Sequence, residues 1–185
     1  MKVDQVRSAI QGAGNRRVLD AWLRWRGARL LPQRRDLEIG DIAADLPYVG
    51  IAEVLPSGDV LVRVAGTALR RIYGVELTGR NVKDFTASAD WPLRWWRYQR
   101  MVTRPCGSFY TRRDVLEGGR IVVYESVGLP LDTDGTVDRR QLLWSLVPLD
   151  ETFTLDPTTA ARTVPLATSY AFIDIGAGEP EADGP

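Results

Sequence analysis

The order of the predicted strands and helices constrains this chain more than any other feature. Two segments of alternating apolar residues, 48–55 and 60–65, flank a Pro-Ser-Gly-Asp turn and predict a β-hairpin. Short helical stretches and one long helix, 88–103, follow the hairpin. Three further strand-like segments come next, at 108–117, 120–129 and 139–149. This order predicts an α+β domain with a five-stranded, mostly antiparallel sheet that helices cover on one face.

Two more helices are predicted before the hairpin. Val18, Trp22 and Trp25 recur at steps of four and three residues, so they share one face of a helix over 15–27. A second, shorter helix ends at Pro47, because proline cannot continue a helix. The chain therefore begins with a helical flank rather than with the sheet.

Composition and periodicity divide the chain into a helical flank at 1–47, a folded domain at 48–149 and a tail at 150–185, where periodicity fades. The 24 cationic and 24 anionic side chains are spread unevenly over these regions. Residues 150–185 hold one cation and seven anions, which leaves 23 cations and 17 anions before them. We therefore predict a flexible acidic tail that folds back over an arginine-bearing surface.

The 185 residues include no histidine and a single cysteine, Cys106. Without histidine the chain cannot form a Ser-His-Asp or Cys-His nucleophile system or a histidine-ligated zinc or haem site. With one cysteine it cannot form an internal disulfide or a thiolate zinc cluster, so we expect a reducing compartment and no metal site. Neither an apolar N-terminal stretch nor a run of about 18 apolar residues is present, which predicts a cytoplasmic protein with no membrane contact.

A series of short motifs resembles a known family. The motifs are Trp22-x-x-x-Arg26-Gly27, Leu31-Pro32-x-Arg34-x-Asp36, Leu46-Pro47, Gly66-Thr67, Tyr73-Gly74-x-Glu76-Leu77-Thr78-Gly79-Arg80, Arg104-Pro105 and Pro130-Leu131-x-x-x-Gly135. Their order resembles the PAS superfamily, and within it the small stand-alone bacterial PAS-type family formerly described as a domain of unknown function. Leu37 departs from the pattern, because the family often places a proline there. The resemblance implies a five-stranded antiparallel sheet whose helices wall a cavity, and a sensory or interaction module rather than an assigned activity.

With this fold, a ligand cavity is expected between the sheet and the helices. Trp91, Trp95, Tyr98 and Val102 recur at helical spacing and would face the sheet, where aromatic walls suit a flat or apolar ligand. The candidate ligand-binding residues are Val62, Val64, Tyr73, Trp91, Trp95, Tyr124 and Trp144. The same spacing is typical of a helix that only fills a core, so both interpretations stay open at this point.

The sequence predicts a cytoplasmic signalling module that is not an enzyme. It would bind a small molecule or a partner protein and, with no kinase, cyclase or DNA-binding segment attached, would signal in trans. No cofactor can be named from the residues. Trp22 and Trp25 could pack against a second subunit in a homodimer, and burial of both rings within the chain is the alternative.

Two other functions are weighed against this one. Asp114, Glu117 and Glu125 lie on adjacent predicted strands and could act as acid and base in a cone-shaped α+β enzyme with an apolar cavity. Arginines interleave with aromatic residues over 94–104, a pattern that could bind nucleic acid. No recognised nucleic-acid motif accompanies them, so we interpret these arginines as a solvated helix face and expect no nucleic-acid partner.

Overall fold

The computed structural model describes residues 1–116, 119–133, 140–150 and 165–180. Its six strands are β1 (Val49–Val54), β2 (Val60–Ala65), β3 (Gly107–Val115), β4 (Ile121–Leu131), β5 (Arg140–Pro148) and β6 (Ser169–Ile173). Its α-helices are α1 (Val3–Ala9), α2 (Ala13–Arg26), α3 (Thr67–Tyr73) and α4 (Trp91–Thr103), with 3-10 turns at Arg34–Asp36, Ile39–Tyr48 and Val82–Phe85. In these ranges, no helix has both the length and the apolar character needed to cross a bilayer.

The strands form one antiparallel sheet in the order β2-β1-β5-β4-β3-β6. This confirms the predicted α+β fold. Helices cover both faces of the sheet, because the extra N-terminal helices, whose packing the sequence left open, lie on the face opposite the helices that follow the hairpin. α1 and α2 pack on one face, against Val127 and Leu129 of β4, whereas α3 and α4 pack on the other, with Tyr124 of the same strand. Ten of the 11 residues of β4 are buried or half-buried, because neighbouring positions of a strand point to opposite faces and both faces are covered here.

The sixth strand lies in the region predicted to be a flexible tail. β6 pairs with β3 from Gly107↔Ile173 to Thr111↔Ser169, and the rings of Tyr110 and Tyr170 stack across this pair at 6.0 Å. The sheet therefore has six strands instead of the predicted five. The prediction of an irregular tail is wrong at 169–173. A run of five residues is too short for periodicity to identify, and its strand conformation depends on the open edge of β3.

The described part of the acidic region does fold back over arginines in α4 and at its C-terminal end. Arg94 donates to the carbonyl of Pro165 (2.9 Å), Arg104 donates to the carbonyl of Glu179 (3.2 Å), and Arg97 lies on the ring of Tyr170. These contacts use carbonyl oxygens and an aromatic face rather than carboxylates. The rest of the predicted tail, 151–164 and 181–185, lies outside the described residues.

Trp22 and Trp25 are buried within the chain, with exposed fractions of 0% and 7%. The indole N–H of Trp22 donates to the carbonyl of Pro130 (3.0 Å), and that of Trp25 donates to Asp41 (3.0 Å). The prediction that these two rings form a homodimer contact is therefore wrong. Both rings pack between α2 and the chain's own sheet and loops.

Glu125 of β4 determines where α2 begins. Its buried carboxylate accepts hydrogen bonds from the backbone N–H groups of Gln11 and Gly12 (both 2.9 Å) and from the side-chain amide of Asn15 (3.0 Å). The first N–H groups of a helix have no partner within the helix, and a negative charge there also interacts favourably with the helix dipole. Glu125 therefore joins α2 to the middle of the sheet.

Replacement of Glu125 by glutamine is expected to lower the free energy of unfolding by about 2 kcal/mol, because three charge-assisted hydrogen bonds become weaker or are lost. Urea unfolding followed by tryptophan fluorescence measures this change. The control is Glu38→Gln, an exposed position at which we expect a change within about 0.5 kcal/mol. Equal effects of the two variants would contradict the role given to Glu125.

Candidate ligand cavity

A cavity of about 60 Å³ lies between the sheet and helices α3 and α4. Val62 of β2 and Leu142 and Trp144 of β5 provide apolar walls on the sheet side. Tyr73 of α3 and Phe85 of the following 3-10 turn contribute rings on the helical side. One water molecule needs about 10–15 Å³ of free cavity volume, so this cavity has room for about four water molecules.

A second cavity, of about 50 Å³, adjoins the first. The two share Arg94 and Tyr98 of α4 and Ser108 and Tyr110 of β3 in their linings. The remaining lining of the second cavity includes the side chains of Arg97, Arg112 and Tyr170. Together the cavities form a space with an apolar end and a cationic end.

A buried ion pair lies at the cationic end. The Nε and Nη2 atoms of Arg112 each donate to one carboxylate oxygen of Asp114 at 2.8 Å, and the two side chains are 2% and 1% exposed. A third nitrogen of Arg112, Nη1, donates to the hydroxyl of Tyr73 (3.2 Å). Burial disfavours the charged guanidinium, but interactions with Tyr73 and Asp114 outweigh this effect and raise the pKa of Arg112 above its ordinary value.

Several hydroxyl groups face the shared space in neutral form. Burial raises the pKa of the Tyr73, Tyr98 and Tyr170 hydroxyls above the ordinary value, because a phenolate is disfavoured away from water. These groups therefore remain hydrogen-bond donors at neutral pH. The hydroxyl of Ser126 is buried in the wall of the first cavity and has no hydrogen-bond partner among the described residues. A buried hydroxyl of this kind favours an occupant that can bond to it.

Arg97 lies against an aromatic face at the edge of the second cavity. Its guanidinium carbon is 3.9 Å from the centre of the Tyr170 ring, a cation–π contact. Burial lowers the pKa of Arg97, and the neighbouring charge of Arg94 acts in the same direction, whereas Tyr170 opposes the shift. Two like charges thus lie at the same end of the cavity, where an anion would stabilise both.

A family model described as a PAS domain matches residues 10–140. The chain belongs to the PAS domain family. A PAS domain is in general a sensory or signalling module, and domains of this family are typically not enzymes.

Two solved structures are similar to this PAS domain over part of their length. A fungal LOV domain photoreceptor has 14% sequence identity and a TM-score of 0.37, over 54% of this chain and 74% of the other. The PAS domain of Bordetella pertussis BvgS has 17% identity and a TM-score of 0.37, over 57% of this chain and 77% of the other. No curated protein matches the sequence.

The structure brings together three of the seven predicted site residues. Val62, Tyr73 and Trp144 line the first cavity of the PAS domain. Val64 does not, and is 46% exposed. The reason is an irregularity in the β1–β2 pairing: Val62 lies opposite Ala52, but Val64 lies opposite Ile51, because the register shifts between those two residues.

The other three predicted residues lie near the cavities without lining either of them. Tyr124 is buried against Arg112, whose guanidinium carbon is 5.3 Å from the centre of the tyrosine ring. Trp91 and Trp95 stack on each other at 6.2 Å, and Trp95 also borders a separate groove of about 380 Å³. These two tryptophans flank the side of α4 that faces the cavities.

That side of α4 carries Arg94, Tyr98 and Met101, at steps of four and three residues. The interpretation of Arg94 and Arg97 as part of a solvated face is therefore wrong. Since β6 extends the sheet beneath α4, more of the helix surface is covered than a five-stranded sheet would cover. The arginine spacing was visible in the sequence, but the strand that covers it was not.

The carboxylates proposed as an acid–base pair do not meet. Asp114 shares a face of the sheet with Arg112, whereas Glu125 lies opposite Thr111, on the other face. Glu117, the third candidate, lies outside the described residues. In the part of the chain that the structure describes, neither cavity has an acidic lining residue, and no three potential ligand residues cluster as a metal site.

The single cysteine, Cys106, is fully buried in the core on the same side of the sheet as the cavities. Burial raises the pKa of its thiol to about 12, so the thiol remains protonated at neutral pH. Because the thiolate is the nucleophilic form, the surroundings of Cys106 fit a packing role.

Proposed function

We propose that this PAS domain senses a small molecule held in the cavity and passes the state of occupancy to a partner protein. The observation that carries the proposal is a space between sheet and helices whose wall holds a buried, unpartnered hydroxyl, that of Ser126. An apolar cavity with a few convergent polar groups is the usual form of a small-molecule site. Its size in this conformation favours a ligand of few atoms.

Strand β4 supplies a route from the cavity to the other face of the sheet. Ser126 faces the cavity, while the residues on either side of it, Glu125 and Val127, face α2. A shift of β4 when the cavity fills would therefore move the carboxylate on which α2 begins. The exposed side of α2 would then present a different surface to a partner in each state.

Native mass spectrometry of the purified protein tests the sensing step. We expect the folded protein to carry a small molecule that is released on denaturation. A Ser126→Leu variant should lack it, because the longer side chain fills the cavity, whereas Ser126→Ala should retain it more weakly, because only the hydroxyl is lost. Circular dichroism checks that both variants fold. The proposal is wrong if folded protein carries no small molecule and if no compound in a metabolite library raises its melting temperature.

A further inference from the structure

We infer that the two adjoining cavities together bind a small organic carboxylate. Its charged end would lie by Arg94 and Arg97, and its hydrocarbon part would lie against Leu142 and Trp144. The inference rests on the proposed sensing function and names the chemical class of its ligand.

The balance of charge at the cationic end is the first observation. Asp114 already neutralises Arg112 through two hydrogen bonds, whereas Arg97 contributes a further positive charge to the lining of the second cavity. Within the described ranges, Arg97 forms no ion pair, and its close contact is the ring of Tyr170. A carboxylate matches the planar guanidinium group because it accepts two parallel N–H bonds.

The hydroxyl groups around this end fit the same ligand. Tyr98 and Tyr170 remain protonated because of their burial. The Tyr170 hydroxyl donates to the sulfur of Met101 at 4.0 Å, a weak hydrogen bond that a carboxylate would replace with a stronger one. The hydroxyl of Ser108 lines both cavities and adds another donor within the shared space. Hydrogen bonds to a charged acceptor are stronger than those to a neutral one.

The apolar end distinguishes an organic carboxylate from an inorganic anion. Val62, Phe85, Leu142 and Trp144 line the first cavity on the side of β2 and β5. A phosphate ion could contact the arginines, but it would leave this apolar surface unfilled. A molecule with a short hydrocarbon part buries that surface and gains the corresponding hydrophobic free energy.

The volumes limit the size of the ligand. Cavities of about 60 and 50 Å³ have room for about eight water molecules together, and thus for a ligand of about eight non-hydrogen atoms. Butyrate satisfies this limit and has both a carboxylate and a hydrocarbon part. Butyramide has nearly the same shape without the charge, so the pair isolates the contribution of the anion.

Isothermal titration calorimetry of the full chain with sodium butyrate, butyramide and inorganic phosphate tests the inference. We expect butyrate to bind most tightly, and Arg97→Gln to weaken its binding about 10- to 100-fold, because a charge-assisted hydrogen-bond pair is lost. The control is Arg100→Gln, one turn further along α4, where the exposed side chain contacts Trp96 instead of the cavity. If Arg97→Gln does not fold, Arg97→Lys keeps the charge and should weaken binding to a smaller extent.

Several outcomes would overturn the inference. Butyramide or phosphate binding as tightly as butyrate would do so, as would equal losses in the Arg97 and Arg100 variants. If butyrate fails to bind and the molecule released in native mass spectrometry carries no carboxylate, the ligand class is wrong while the sensing function stands. If that molecule is a carboxylate, the inference is supported. If no molecule is released and none binds, both the inference and the sensing function are wrong.

Discussion

Replacement of Trp22 by alanine is expected to lower the free energy of unfolding by about 4 kcal/mol. The ring is completely buried between α2 and the sheet, in the core cluster that also contains Leu129 and Leu131 of β4. Its removal leaves a cavity too large for these neighbours to fill, and it also removes the donor to the carbonyl of Pro130. Because domains have a total stability of about 5–15 kcal/mol, this loss is a large fraction of what holds the protein folded.

Urea unfolding monitored by circular dichroism measures this effect. A Trp22→Phe variant keeps most of the apolar volume and loses the indole N–H, so its expected cost is smaller, about 1–2 kcal/mol. Size-exclusion chromatography with light scattering separates this interpretation from a dimer contact. A Trp22→Ala protein that keeps its full stability but halves its mass in solution would show that the ring lies between subunits.

Replacement of Asp114 by asparagine is expected to lower the free energy of unfolding by about 3–5 kcal/mol, because it leaves the buried charge of Arg112 without a counter-ion. Both side chains project from the same face of β3, and the aromatic rings of Tyr73 and Tyr124 lie near the guanidinium, each centre at 5.3 Å. The two side chains are 2% and 1% exposed, so bulk solvent screens the remaining charge only weakly. Thermal and urea unfolding give the change directly.

A double variant, Arg112→Met with Asp114→Leu, serves as the internal comparison. It removes both charges together, and we expect it to recover most of the stability that Asp114→Asn loses. Arg113→Gln tests the exposed arginine between them, which points to the opposite side of the sheet and should change stability by less than about 0.5 kcal/mol. An Asp114→Asn protein as stable as the Arg113→Gln protein would contradict the burial of the pair.

The strands of the PAS domain could be predicted from the sequence because their signals are local. The expected hairpin strand at 60–65 coincides with β2, and the segments expected at 108–117 and 120–129 lie within two residues of β3 and β4 at each end. The PAS resemblance was confirmed by the family match over residues 10–140. Alternating apolar residues, turn residues and short motifs are all defined by neighbouring positions in the chain. They can therefore be recognised in a single sequence without the structure.

The candidate site was less predictable, because its composition depends on how distant segments pack. Val62 lines the cavity as strand alternation predicts, but Val64 does not, since the pairing of β1 and β2 shifts between them. The helical stripe of Trp91, Trp95, Tyr98 and Val102 was expected to face the cavity or to fill the core. Tyr98 lines both cavities, whereas Trp91 and Trp95 line neither. Which row of side chains on α4 faces the cavity depends on the angle at which α4 packs on the sheet.

Local residue patterns in this chain specified the elements from α2 to β5 and their order, and composition excluded histidine and disulfide chemistry. The set of residues that line the cavities depends instead on pairing between segments that are far apart in the chain. β6 adds Tyr170 to the edge of β3 and covers α4, and this places Arg94 and Arg97 at the cavities instead of in solvent. The physical reason is that periodicity shows which residues share a face of one element, whereas the neighbour of that face is set by contacts between segments far apart in sequence.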